Sequence, residues 1–520
     1  MIIIRNIAWI SMLLLSSFYS SSQAEIAQWP EQSHAKTYAV DTESLTRIYT
    51  TPTLIWLTNQ QLNTQAHDAL DFISSSSQHG LDPNDYHLTE LNQLTPPYDT
   101  FSAQQFDVLL TDGLVKLIHD ISVGRLQANI ADPQWFIPQQ SIDAVEFLQQ
   151  ALFAPHFKAR LNSLSPSTSE YHSLITALSR YQSYVDRGGW STIPPMPLTH
   201  LGERQKNIPH IRSRLSFEYK ELVLSSPKTA QFYDPFLEQA VRSYQENHGL
   251  KVDGIIGSET WNSMNVSAQE RLQQIKVALE RHRWMPNDLG QRYLIINLAN
   301  YQLRAINNNH EALKMRVIVG RKSRPTPSFF SQMNHLVFNP YWNVPKKLAK
   351  LDLLPKQQDN FNYFYLKNIR VFTHKDGKKI EHDPYSIDWE SVNRYNFPYT
   401  FRQDPGKHNA LGKLKFMFPN KWSIYLHDTS HPELFSETNR SLSSGCIRVE
   451  DPIALAHFSL STPTAEKTVT DLLDSKENSG LKLSNPLSLY AVYFTVWATG
   501  NNVKFSPDIY LRDKHISDLL

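Results

Sequence analysis

Trp422-Ser423-Ile424-Tyr425-Leu426-His427 is a short β-rich run ending in a histidine, and nineteen residues beyond it stands Ser443-Ser444-Gly445-Cys446-Ile447-Arg448. Together these stretches decide the reading of the C-terminal half, because a strand end holds a side chain rigidly against a facing loop. Cys446 is the only cysteine in 520 residues. It is either a small buried hydrophobe or a sulfur kept for its chemistry. A free thiol, with a pKa of about 8.5, is only slightly ionised at neutral pH, so a nucleophilic one needs a base or a positive charge beside it. His427 is the base on offer. Its ring needs a third group to fix it, and the Asp428-Thr429-Ser430 turn offers a backbone carbonyl or a carboxylate. Gly445 frees the backbone beside the sulfur, so the N–H groups of Gly445 and Cys446 can face a developing oxyanion. Arg448 either grips a substrate carboxylate or braces the loop. His431 suggests a metal pair with His427, but Pro432 argues against a helix and no third ligand motif is in view. No metal and no cofactor are expected.

Outward from this stretch the chain reads as sheet. Tyr293–Leu298 and Met315–Gly320 are β-rich runs, and Leu489–Trp497 with Val503–Phe505 flank Gly500-Asn501-Asn502 as a terminal hairpin. A mainly-β domain over 290–513 follows. Residues 345–411 interrupt it with a polar, aromatic insertion containing Asp376-Gly377 and Asp404-Pro405-Gly406, which reads as a subdomain or lid capping the cleft.

The N-terminal half differs. Over 40–200 the pattern is helical: apolar residues at 106, 109, 110, 114, 117, 118 and 121 share one helix face, which Gly124 and the 129–133 stretch end. Pro194-Pro195-Met196-Pro197 marks a stiff boundary. A compact unit over 208–268 combines the helical face Leu237, Ala240, Val241, Tyr244 with a glycine-rich turn from Gly249 to Gly257. Arg5, the apolar run Ile7–Phe18 and Ser22-Gln23-Ala24 read as a signal peptide over 1–24, its core too short to span a bilayer comfortably. An uncleaved anchor is the competing reading, and no later segment is apolar enough for a span. The formal net charge is +1, which offers no electrostatic footprint for nucleic acid.

Ala240-Val241-Arg242-Ser243-Tyr244-Gln245 followed by Gly249 through Thr260 resembles a three-helix peptidoglycan-binding domain. His427-Asp428-Thr429, Arg440 and Ser443 through Val449 resemble the catalytic signature of the L,D-transpeptidase family. The likeness extends to Val319-Gly320, Arg324-Pro325-Thr326-Pro327, Phe338 through Pro345 with Trp342 among them, Asn409 through Gly412 and Pro507 through Tyr510. Many small members carry His where this chain has Ser444, and the large Gram-negative members with a scaffold domain tolerate Ser.

The resemblance implies a multidomain α+β chain: helical scaffold, wall-binding unit, and mainly-β catalytic domain with an inserted cap. It implies Cys446 as nucleophile, His427 as base, the Asp428 carbonyl orienting it, and Gly445 and Cys446 N–H as oxyanion hole. Arg448, Tyr425, Ser444 and Trp342 are then expected to meet substrate. The implied reaction joins diaminopimelate to diaminopimelate in peptidoglycan through a thioester, in the periplasm, with carbapenems as acylating inhibitors. Relatives instead attach lipoprotein or hydrolyse the acyl-enzyme. Implied partners are stem peptides, glycan and other cell-wall synthesis proteins. Two rivals stand beside this reading. One is a cysteine peptidase acting on stem peptides, using His457 or His515. The other is a non-catalytic wall-binding protein.

Overall fold

The computed structural model describes residues 40–51, 53–224 and 231–520, so the leader expected over 1–24 lies outside the described residues. The chain is mixed α+β, helices dominating before Arg283 and strands after it. The helix Thr100–Val123 centres the N-terminal region, and the seven apolar positions named above are all buried. Asp99 caps it by accepting from the Ser102 N–H at 2.7 Å. Gly124 ends it at φ +100°, where a Cβ would lie 2.6 Å from the Trp284 ring.

Strands interrupt the helical expectation. β1 (Leu57–Thr58) pairs with β2 (Gln61–Leu62), while β3 (Trp135–Phe136) runs parallel to Ser328–Phe329 of the C-terminal sheet. Pro133 and Pro138 bracket the β3 aromatics and bar a helix there. Trp135 meets Trp284 at 5.3 Å and Phe136 meets Trp422 at 4.7 Å, so the scaffold is stitched into the other half by its rings.

The small helical unit has Ile211, Leu237, Val241, Tyr244 and Met264 in its core, joined by Ile193 from upstream of 208. Gln245 organises its glycine turn, donating to Ile255 O at 3.0 Å and accepting from the Gly254 N–H at 2.8 Å. His248 stacks between Tyr244 at 3.7 Å and Phe505 at 5.3 Å, which fastens the unit to the end of the chain.

The helix Ala268–Arg283 falls in the interval left unassigned between 268 and 290. Ser267 and Glu270 form its capping box. Its Arg281, His282 and Arg283 are buried. Arg281 pairs with Asp513 at 2.5 Å, Arg512 with Asp132 at 2.5 Å and Arg283 with Glu280 at 2.7 Å, so charges from both halves compensate one another inside the junction.

After it come β4 (Arg292–Asn297), β5 (Gln302–Asn307), β6 (His310–Gly320) and β7 (Ser328–Phe338). The chain then leaves the sheet. β8 (Trp342–Asn343), β9 (Ile369–Lys375), β10 (Lys378–His382) and β11 (Thr400–Gln403) form a separate four-stranded sheet, ordered β10-β9-β11-β8. It packs on a core of its own containing Leu353, Val371, Phe401, Phe364 and Trp389. The insertion is therefore a packed subdomain, with Phe364, Trp389 and Phe401 filling its interior.

β12 (Leu414–Met417), β13 (Leu426–His427), β14 (Ser441–Ser443), β15 (Ile447–Val449) and β16 (Ser479–Val492) return to the first sheet. Its order β12-β13-β15-β6-β5-β4-β16-β7 comes back to β12, which also pairs with β7, so the sheet closes on itself. Inside lie Leu294, Leu303, Val317, Leu336, Phe416, Leu426 and Leu489. The β16–β7 register shifts between Lys482 and Leu487, where Pro486 has no N–H to donate.

The hairpin arm expected as 489–497 is divided. Leu489–Val492 belongs to β16, and only β17 (Val496–Thr499) pairs with β18 (Asn502–Phe505). Asn297 causes the break: its side chain donates to Phe494 O at 2.9 Å and accepts from the Phe494 N–H at 3.0 Å, replacing a strand partner.

Candidate active site

The strand expected over Trp422–Leu426 is shorter than its composition suggests, with only Leu426–His427 in ladder pairing. Asn420 closes the preceding segment into a turn, accepting from the Ile424 N–H at 2.9 Å and donating to Ile424 O at 2.7 Å. Ser423 completes the turn at φ +57°. His427 is nevertheless rigidly set, because β13 lies between β12 and β15. Its register partners are Lys415 on one side and Arg448 on the other.

The His427 ring is buried, and its Nδ1 meets the main-chain carbonyl of Asp428 at 2.5 Å. A carbonyl only accepts, so Nδ1 carries the proton and Nε2 keeps a free lone pair. Burial holds the imidazole neutral, reinforced by Arg448 and Lys415, and its pKa falls to about 3. The choice between carbonyl and carboxylate is thereby resolved. The Asp428 carboxylate instead accepts from the Lys413 and Thr429 N–H groups, each at 2.7 Å. Gly412 makes room for it, since a Cβ there would lie 2.2 Å from Asp428 Oδ2.

Cys446 lies in the turn between β14 and β15. Gly445 has φ +118° with open space around it, so conformation alone selects glycine. Thr326 donates to Gly445 O at 2.9 Å and Ser443 donates to Cys446 O at 2.5 Å, pinning the loop on both sides of the sulfur. The Gly445 N–H is not free as expected: it donates to Ser443 Oγ at 3.1 Å. The Cys446 N–H has no partner among the described residues.

The thiol faces Ser423 O at 3.9 Å, and burial pushes its pKa up, against the lowering effects of Tyr425, Lys415 and Arg448. The Tyr425 ring stands 5.6 Å from the His427 ring, and Lys415 Nζ lies 3.9 Å from the centre of the Tyr425 ring. Burial thus disfavours both the thiolate and the imidazolium in this cleft.

One cleft of about 1020 Å³ brings together Cys446, His427, Gly445, Ser444, Arg448, Tyr425 and Trp342. Arg448 lines the cleft too, its Nε buried and without a hydrogen-bond partner among the described residues. His431 also lines the cleft but turns Nδ1 to Glu433 at 2.9 Å. His457 and His515 do not line it. Lys415, Ser423, Gln134, Arg321 and Asp352 escaped the sequence reading. Gln134 comes from the scaffold and Asp352 from the insertion, distances along the chain that no local pattern spans.

The "L,D-transpeptidase catalytic domain" model matches residues 291–469. The chain carries an L,D-transpeptidase catalytic domain. Ahead of it, a "Scaffold domain" model matches residues 43–178 and a "Putative peptidoglycan binding domain" model matches 204–264. A curated protein of Haemophilus influenzae, named "Putative L,D-transpeptidase", is 38% identical over 250 residues, covering 47% of this chain and 49% of that one. The chain thus spans about half the length of that relative. Two crystal structures of L,D-transpeptidases also match. The one from Xylanimonas cellulosilytica is 13% identical, covers 57% of this chain and 100% of that chain, and has a TM-score of 0.16. The one from Stackebrandtia nassauensis is 9% identical, covers 56% and 94%, and has a TM-score of 0.20. Both superpositions are too poor to bear on this fold. Among the described residues no helix is long and apolar enough to cross a membrane.

Proposed function

We propose that this protein is a periplasmic, wall-associated L,D-transpeptidase that joins diaminopimelate residues of neighbouring peptidoglycan stems through a thioester on Cys446. The observation that carries the reading is the 2.5 Å contact from His427 Nδ1 to the Asp428 carbonyl. It leaves Nε2 unprotonated in the cleft that holds the chain's only thiol. A neutral base beside a neutral thiol suits a nucleophile that surrenders its proton as it attacks.

Cys446 Sγ bonds to the carbonyl carbon of the donor's diaminopimelate while its proton passes to His427 Nε2. The Cys446 N–H steadies the oxyanion. Collapse breaks the C–N bond to the terminal D-alanine, and the imidazolium returns its proton to the departing nitrogen. The side-chain amine of a second stem then attacks the thioester. A new amide forms, Sγ leaves, and the amine's proton reaches Sγ through His427. Arg448, a guanidinium lining the same cleft, holds a stem carboxylate in this reading. The inserted subdomain lines the cleft, and excluding water there favours the amine over hydrolysis. Stem peptides and glycan are the partners this reading assigns, the 204–264 unit supporting the glycan contact.

Incubation with purified disaccharide-tetrapeptides and mass spectrometry tests it. The expected product is a cross-linked dimer lacking one D-alanine, formed by wild type and not by Cys446→Ala. Shortened stems without dimer would establish a peptidase instead. Absence of any product would reduce the protein to a binder.

A further inference from the structure

Arg324 holds two partners that belong to different parts of the chain. Its guanidinium meets Asp352 of the inserted subdomain in a bidentate pair, at 2.5 Å and 2.9 Å. The same Nη1 donates to Ser444 Oγ at 2.9 Å, two residues before the nucleophile. Arg321 reaches that hydroxyl at 3.3 Å and the Ser443 carbonyl at 3.2 Å. Two guanidinium groups therefore converge beside Cys446, and a carboxylate of the protein itself already fills the fork.

The surroundings make that carboxylate conspicuous. Arg321, Arg324, Lys347, Lys356, Lys367 and Arg448 line the cleft, and Asp352 is the only acidic residue among its lining residues. The chain as a whole is almost neutral, so this concentration of charge is local. Asp352 also sits in a π-helical turn, Ala349–Leu353, a rare geometry that recurs at functional sites. A bidentate guanidinium fork matches any carboxylate of the right placement.

We propose that Arg324 and Arg321 form an anion subsite for a carboxylate of the peptide substrate, and that Asp352 occupies it until substrate arrives. Exchange of one carboxylate for another then frees the inserted subdomain from the catalytic loop as the site fills. The inference rests on the transpeptidase reading for its substrate, a stem peptide rich in free carboxylates, but its test does not use cross-linking.

Iodoacetate and iodoacetamide alkylate the same thiol and differ in carrying a carboxylate or a neutral amide. The ratio of their rates at Cys446, read by intact mass on the full chain, measures the subsite directly. Asp352→Asn empties the fork and should raise that ratio about threefold to fivefold over wild type at moderate salt. Asp359→Asn removes an exposed carboxylate of the same subdomain outside the cleft and should leave it unchanged. Adding Arg324→Gln to Asp352→Asn should cancel the gain. An unchanged ratio in Asp352→Asn, or an equal rise in Asp359→Asn, overturns the proposal. The expected shift in a protein that forms no dimer would support the subsite and remove only the transpeptidase reading.

Discussion

Iodoacetamide reacts with a thiolate and not with a thiol, so its rate at Cys446 across about pH 5 to about pH 10 reports how the sulfur is ionised. Burial pushes the thiol above its ordinary value, and His427 stays neutral down to about 3. Both shifts oppose a resting thiolate–imidazolium pair. At pH 7 the ionised fraction therefore lies below that of a free thiol. The alkylation rate should then climb roughly tenfold per pH unit between about pH 6 and about pH 9, with no shoulder near 6.5. A preformed ion pair would behave oppositely, reaching a plateau once the imidazolium and thiolate coexist. Lys415→Met provides a second handle, because Lys415 lowers the thiol's pKa and its loss moves the curve to higher pH. A plateau beginning below about pH 8, or a Lys415→Met curve displaced to lower pH, would refute the neutral-pair argument.

Acid sensitivity follows from the same histidine: the unfolded imidazole binds its proton near pH 6.5, the folded one at about 3. The unfolded state holds more protons over that window, so stability falls as pH drops, by roughly 5 kcal/mol at most from this group. His427→Gln should flatten the slope of unfolding free energy against pH by about one proton, measured by urea melts near pH 7 and pH 4. Arg512→Met strands the buried Asp132 carboxylate beside Arg281 alone and should cost about 3–5 kcal/mol in the same melts. Deleting 208–268 uncovers Phe505 and removes the start of the Ala268 helix, so it should lower the melting temperature and slow turnover of small soluble stems. Loss of sacculus binding alone would mean a loosely tethered unit. Shortening 345–411 should shift products from dimer towards hydrolysed tripeptide while carbapenem acylation of Cys446 survives within about tenfold, since water competes at the second step. An unchanged dimer-to-tripeptide ratio in a folded variant would remove the shielding role.

By itself the sequence determined the chemistry on offer and the local structure around it. A lone cysteine after Ser-Ser-Gly, a histidine at a strand end and a glycine that takes φ +118° are short-range facts. So are the buried face of Thr100–Val123 and the Gln245 turn, each spanning a few residues. Tertiary structure alone decided which carbonyl or carboxylate each group meets. The Asp428 carbonyl fixes His427, as the family resemblance implies, while its carboxylate serves the backbone at 413 and 429, a use no local pattern shows. It also decided that the Gly445 N–H is spent on Ser443, that Lys415 and Arg448 flank the histidine, and that scaffold residue Gln134 borders the cleft. Buried Arg281 finds its compensating carboxylates in Asp132 and Asp513, both far along the chain. The physical reason is range. Backbone propensity and side-chain period act over a turn or a strand, whereas register, burial and charge compensation exist only once distant segments close on one another.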